Sequence, residues 1–202
     1  MSAMTATGKG AATRDSIVDR AYALASSSGL ESLSIGPLAQ AVGMSKSGVF
    51  AHFGSREDLQ LAVLDAAGQR FLAHVLLPAL KVRRGLPRLR AIMAAWFDWA
   101  RQTAGGCVLL AAANEYDDRP GVLRDRVQQH EIRWRSDLAR AVQLAVDSGE
   151  LLSDTDPMQV AFELYGLALV VHHDAGLTGL EAAVERGQRA LDRLMHSYSP
   201  NS

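Results

Sequence analysis

Residues that could do chemistry lie in two parts of this 202-residue chain. One is the stretch GMSKSGVFAHFGSRED, residues 43–58. Here Ser45, Lys46, Ser47 and Gly48 lead into a short apolar run, and a second helix start follows at once. Lys46 can neutralise a phosphate, Ser47 can hydrogen-bond to a base or to the backbone, and Gly48 admits close approach. His52 follows at the far end, within reach of a sugar-phosphate rail. Arg56 opens the next helix, where its charge opposes the helix dipole, a placement that makes sense if an anion lies opposite. The other part is the back of the chain, where Trp96, Trp99, Cys107, Asn114, Glu115, Tyr116, Trp134, Tyr165, His172 and His173 interrupt apolar helices. Apolar walls with a few orienting groups suit a small-molecule pocket, and the same tryptophans equally suit a helical core.

Other chemistries lack their residues. The chain has no Ser/His/Asp ordering, phosphate loop or metal-ligand spacing. Neighbouring helical residues diverge by about 100°, so His172 and His173 cannot chelate together, and no metal or cofactor is expected. The single cysteine, Cys107, excludes an internal disulfide and a multi-Cys zinc site. It follows Gly105-Gly106 at a plausible helix start, where a lowered pKa would let it sense oxidants. A small helical enzyme or redox sensor using Cys107, and a helical interaction module without DNA binding, are therefore the rival readings.

Composition sets limits. With 48% hydrophobic and 21% charged residues the chain reads as a globular protein. No apolar run approaches the ~20 residues of a membrane span, and no signal peptide is evident, which predicts a cytoplasmic protein without membrane partners. The net charge of −1 gives no bulk basic footprint, so composition alone does not point to nucleic acid.

Helices must position these residues, because period-two alternation is almost missing. The expected fold is all-α with about nine helices. Residues 1–12 read as a disordered arm. A first helix runs from Thr13 through Ile17, Ala21, Leu24 and Ala25 to Gly29, and Ser34 caps a second through Leu38, Ala39 and Val42. Gly43 supplies the turn, Ser45 caps a brief third helix, and Ser55 with Asp58 opens a long fourth one. A break is expected at residues 78–87, then a fifth helix with Trp96 and Trp99 ending at Gly105-Gly106. Residues 107–116 form a sixth, and a seventh carries Trp134 and stops at Gly149, with Glu131 and Arg135 paired at i,i+4. Asp156-Pro157 opens an eighth helix, apolar nearly all round, and Thr178 with Glu181 caps a ninth. The boundary between a front module (13–58) and a back module (59–202) falls after Asp58.

A helix-turn-helix needs a small residue at the crossing, a glycine in the turn and inward apolar anchors. Ala39, Gly43 and the set Leu38, Val42, Met44 and Val49 supply them, and Lys46, Ser47 and Gly48 become the exposed first turn of the second helix. Residues 13–65 resemble the DNA-binding domain of the TetR family of transcriptional regulators, through Ile-x-x-Ala, Leu-Ala-x-x-x-Gly-x-Ser-Lys and His-Phe-x-Ser-Arg-Glu-x-Leu. That resemblance implies a homodimer binding an operator in double-stranded DNA, with a helical back domain that senses a small-molecule effector. It also implies Ser34, Ser45, Lys46, Ser47, Gly48, Phe50, His52 and Arg56 as the DNA-facing set. The family often has tyrosines where Phe50 and Ala51 stand, and some members carry a base-contacting side chain where Gly36 stands. The segment GGCVLLAAANEYDDRPGVLRD resembles a back-domain variant recurrent among such regulators.

The same resemblance implies a pocket in the back domain, and the residues that interrupt its apolar helices, Trp96, Trp99, Cys107, Asn114, Tyr116, Trp134, Tyr165 and His172, are the candidates to line it. The dimer interface follows from apolarity. The eighth helix holds more apolar surface than one subunit can hide, so Leu164, Leu167 and Val171, with Val184, Leu191 and Leu194 of the ninth, are expected to form a twofold four-helix bundle.

Overall fold

The computed structural model describes residues 3–103 and 106–200, with side chains from Gly10 onward. Nine helices account for nearly all of it, and no strand occurs among the described residues. The first three are α1 (Ala3–Ser28), α2 (Ile35–Ala41) and α3 (Lys46–Phe53). Helix α4 (Arg56–Phe71) continues through a π-helical turn (Leu72–Leu76) and a last α turn (Leu77–Ala79). The rest are α5 (Leu86–Gln102), α6 (Val108–Tyr116), α7 (Val122–Asp147), α8 (Pro157–Leu177) and α9 (Leu180–Ser197).

Helix α1 begins at Ala3, not Thr13, so residues 3–12 continue a helix where an arm was expected. The packed part nucleates the helix, and alanines such as Ala11 and Ala12 extend it at little entropic cost. Residues 1 and 2 lie outside the described residues. Pro78 does not end α4 where it stands. It lacks an N–H and its ring crowds the carbonyl four residues back, and the π turn just before it takes up the misfit. The end expected for the fifth helix at Gly105-Gly106 comes at Gln102, and Gly105 is outside the described residues.

The chain forms two compact units, and neither is continuous in sequence. The first runs to Gln69 and adds the segment ending at Gln128. Its core joins Ile17, Leu30, Leu38, Val49, Leu59 and Val63 to Val108, Ala112 and Tyr116 of α6. The unit extends past Asp58, the boundary expected from the sequence: α4 to Gln69, α6 and the start of α7 belong to it. A cut at one point along the sequence cannot describe a unit built from two segments.

The second unit comprises residues 70–103 and 129–200. Helices α8 and α9 pack along each other, and α5 packs against both. Gly187 makes the close approach possible, since a Cβ there would collide with the Val171 side chain. Asp156 caps α8 as expected, accepting from the amides of Met158 (2.8 Å) and Gln159 (3.4 Å). The capping box at Thr178 does not form. Gly179 is the N-cap of α9, and the Thr178 hydroxyl turns back to the Asp174 carbonyl at 3.1 Å.

This packing buries three of the six residues expected at the interface from apolarity. Leu164, Val171 and Leu191 are fully buried within their own chain, and Leu167, Val184 and Leu194 are partly so. Helix α8 instead leaves Met158, Phe162, Leu169, Val170 and Leu177 exposed. Their spacing of four, seven, one and seven residues keeps them on one side of the helix. Apolarity all round a helix reveals a surplus but not which stripe remains outside.

Candidate nucleic-acid interface

Helices α2 and α3 contain seven and eight residues, too few to be stable alone, so their orientation is inherited from what they pack on. Leu38 and Val49 are fully buried, and Ala39 is 3% exposed where the helices cross. Gly43 adopts a φ of +66°, and the Met44 amide returns to the Ala39 carbonyl at 2.9 Å to close the turn. Arg14 of α1 lies over the Phe53 ring at 4.9 Å, a contact the sequence pattern did not reveal.

Ser45 caps α3 by accepting from the Gly48 amide at 3.0 Å and lies 3.1 Å from the Ser47 hydroxyl. Lys46 and Ser47 are exposed on the first turn, as expected. Gly36, whose missing side chain looked like a lost base contact, gives room to Lys46. A Cβ there would stand 3.4 Å from the lysine Cε. Beside it, Gly36, Pro37, Gln40 and Met44 line an open groove of about 350 Å³ with Lys46. Ser34 is the N-cap residue of α2 but makes no side-chain capping bond, so its hydroxyl is not used there. Phe50 is 44% exposed and His52 partly buried on the same short helix.

Arg56 is different. Its Nε donates to the Leu33 carbonyl at 2.8 Å and a terminal nitrogen donates to the Glu31 carbonyl, with the Glu31 carboxylate 3.7 Å away. The anion opposite this cation is supplied by the chain itself.

The residues expected to line a pocket divide between the units. Cys107, Asn114 and Tyr116 belong to the first unit. Cys107 is buried and Asn114 exposed, while Tyr116 is buried with its hydroxyl on Glu31. Burial of Cys107 removes the exposure that a redox-sensing thiol needs. Glu115 accepts from the Glu31 amide at 3.0 Å.

The second unit brings the others together. Trp96 packs edge-on against Trp134 (5.1 Å between centroids) and Tyr165 (5.6 Å), and Phe71 meets Trp96, Trp99 and Trp134. Phe71, Glu131 and Arg135 join this cluster without having been singled out as site residues, although Glu131–Arg135 was legible as an i,i+4 pair. The Tyr165 hydroxyl donates to Glu131 at 2.9 Å, and Arg135 lies over the Tyr165 ring at 4.4 Å. Glu131 and Arg135 face each other at 3.5 Å, but out of hydrogen-bond alignment. The buried Trp134 Nε1–H has no acceptor among the described residues. Burial and the Glu131 carboxylate raise the Tyr165 pKa above its usual value, so the phenol stays a donor. His172 is desolvated, which lowers its pKa. No group of His, Cys, Asp and Glu suited to a metal occurs among the described residues.

Residues 17–63 match the family model of bacterial regulatory proteins of the tetR family, and residues 85–191, more than half of the chain, match the tetracyclin repressor-like C-terminal domain. The chain belongs to the TetR family. No curated protein matches it. Among solved structures, a TetR-family transcriptional regulator from Cytophaga hutchinsonii is similar at a TM-score of 0.82 and 20% identity, covering 95% of this chain and 97% of the other. A TetR transcriptional regulator from Chloroflexus aurantiacus reaches 0.74 and 28%, covering 93% and 94%. AibR, solved in complex with isovaleryl coenzyme A and operator DNA, reaches 0.70 and 21%, covering 93% and 98%. The match at residues 17–63 spans α2 and α3, and TetR-family proteins are DNA-binding regulators, not enzymes. Among the described residues no helix is long and apolar enough to cross a membrane.

Proposed function

We propose that this TetR-family regulator is a cytoplasmic homodimeric repressor, released from a palindromic operator by a largely apolar, aromatic effector. The observation that carries the reading is the first turn of α3. It holds the exposed Lys46 and Ser47 on a helix fixed by buried Leu38, Ala39 and Val49. Lys46 serves phosphate, Ser47 reads a base edge and Gly48 lets the backbone come close.

One such helix offers few contacts, which supports pairing of two. The exposed stripe of α8, from Met158 through Phe162, Leu169 and Val170 to Leu177, gives a second copy an apolar face to cover. Twofold pairing there gives operator half-sites about 34–36 Å apart, or one further turn of DNA. In the second unit, the Trp96–Trp134–Tyr165 cluster with its unpaired Trp134 N–H supports an aromatic effector that carries an acceptor. An effector that favours the conformation unable to bind DNA lowers operator affinity by its differential binding, and by no more. AibR, with both an acyl-CoA and DNA bound, is a precedent for two ligands on this fold.

Selection of duplexes from random-sequence DNA tests the reading. The expected product is a palindrome, bound with strong salt dependence. Failure to enrich any sequence overturns it. An effector that releases the duplex should quench tryptophan fluorescence.

A further inference from the structure

We propose that Glu31, Arg56, Gln60, Glu115 and Tyr116 form a latch that sets the pose of the helix-turn-helix, which makes them positioning residues for operator binding and not DNA contacts. The inference rests on the reading of this chain as an operator-binding regulator. It starts from the loop between α1 and α2, whose backbone groups have few helical partners of their own. The Leu30 carbonyl accepts from Gln60 Nε2 at 2.8 Å, and the Glu31 amide donates to Glu115 Oε2 at 3.0 Å. The Glu31 and Leu33 carbonyls accept from the Arg56 guanidinium. The Glu31 carboxylate in turn accepts from the Tyr116 hydroxyl at 2.7 Å, and Gln60 Nε2 lies 3.4 Å from the same hydroxyl. Side chains from α4 and α6 therefore grip one loop at several successive backbone groups.

Three features make this a positioning device. The next residue, Ser34, is the N-cap of α2, so any shift of the loop moves a seven-residue helix that cannot hold its own direction. Gly29 has a φ of +83°, and a Cβ there would collide with the Glu115 carboxylate, so the glycine is what lets the acid reach the loop. Gln60 and Tyr116 are 3% and 5% exposed, and a buried polar group left without its partner is costly, which favours one geometry over neighbouring ones. Arg56 suits the task because its planar fork addresses two carbonyls together, which the point charge of a lysine cannot do.

The test measures four variants against the duplex selected by the wild-type chain and against a scrambled duplex, across a salt series. Arg56→Lys, Tyr116→Phe and Glu115→Ala should each weaken binding to the selected duplex about tenfold. They should leave scrambled-duplex binding and the salt slope unchanged, with helical content retained at the assay temperature. Arg56→Ala should also keep the wild-type slope. A purely stabilising role would lower the melting temperature without narrowing the gap between selected and scrambled DNA. That result overturns the proposal. So does wild-type binding by Arg56→Lys combined with a slope flattened by about one in Arg56→Ala, the signature of a phosphate contact. Should Tyr116→Phe fail to fold, Glu115→Ala decides. It removes a less buried group, and unchanged discrimination there refutes the latch. If the wild-type chain selects no duplex, the functional reading and the latch fall together; if it selects one and the variants bind it normally, only the latch falls.

Discussion

The eight residues of α3 and the twenty-one of α8 present opposite kinds of outward face. Helix α3 keeps Val49 and Phe53 inside and turns Lys46 and Ser47 out. Helix α8 keeps Val160, Leu164, Ala168 and Val171 inside and turns Phe162, Leu169 and Val170 out. Polar groups facing water are already solvated, so the outward turn of α3 gains nothing from an apolar cover and only becomes selective against a charged, hydrogen-bonding partner. Apolar groups facing water are costly at roughly 25 cal/mol per Å², so α8 gains as soon as any apolar partner covers it. On the proposed reading, one face supplies specificity and the other supplies affinity between copies. The regulator reading needs both, because a single short recognition helix is a weak reader.

The comparison breaks most visibly if the α8 face is made hydrophilic. Phe162→Glu with Val170→Glu alters two exposed positions, so each chain should fold with near-normal stability yet sediment as a monomer. Operator affinity should fall on the order of a thousandfold, about 4 kcal/mol, since each half-site is then bound alone. A variant that remains a dimer places the interface elsewhere.

The inward side of α8 should respond in the opposite way. Leu164 is fully buried, and Leu164→Ala removes its packing and leaves a cavity, at a cost of about 2–5 kcal/mol read from urea unfolding. Binding by the folded fraction should be close to normal at low temperature. Loss of dimerisation with no loss of stability would show that Leu164 faces a partner after all.

On α3, Lys46→Ala should weaken binding to all duplexes alike and flatten the slope of log K against log salt by about 0.9. Ser47→Ala should leave that slope alone and change the preference among operator variants. A uniform loss from Ser47→Ala would make it a backbone contact. These effects are smaller because each removes one contact while the scaffold stays intact.

What could be read from the sequence depends on how local the cause is. The cap of α3 at Ser45, the capping pair Ser55–Asp58, the turn at Gly43 and the Asp156 cap of α8 were all legible, because each depends on residues at most five apart. The assignment of Arg56 to DNA used a local argument, its position at a helix start, and missed the Glu31 and Leu33 carbonyls brought to it from more than twenty residues away. Cys107, Asn114 and Tyr116 share with the tryptophans only that they interrupt apolar helices, a pattern that does not tell which unit a helix joins. Burial of Val108 and Ala112 with Ile17 and Leu59 assigns that segment to the front unit. Leu164, Val171 and Leu191 were placed in the interface for a related reason, although they are buried within their own chain. A helix apolar on every side carries no periodicity from which an inner face can be told from an outer one.

The smallest effect concerns the one histidine on α8 that burial perturbs. Desolvation disfavours the imidazolium of His172 and holds its folded-state pKa below the ordinary 6.5, so between those two values the unfolded chain binds a proton that the folded chain does not. The sign follows: this group's contribution to stability is present above about pH 6.5 and is lost as pH falls from there through the folded-state value. Urea midpoints should therefore drop between pH 7.5 and 5.5, and His172→Gln should flatten that drop. His173→Gln is the control, because His173 is exposed one position round the helix, 3.5 Å from Asp174. If both variants flatten the profile equally, burial on the inner side of α8 is not its cause. The contrast between the two sides of that helix would then lose its electrostatic support and rest on packing alone.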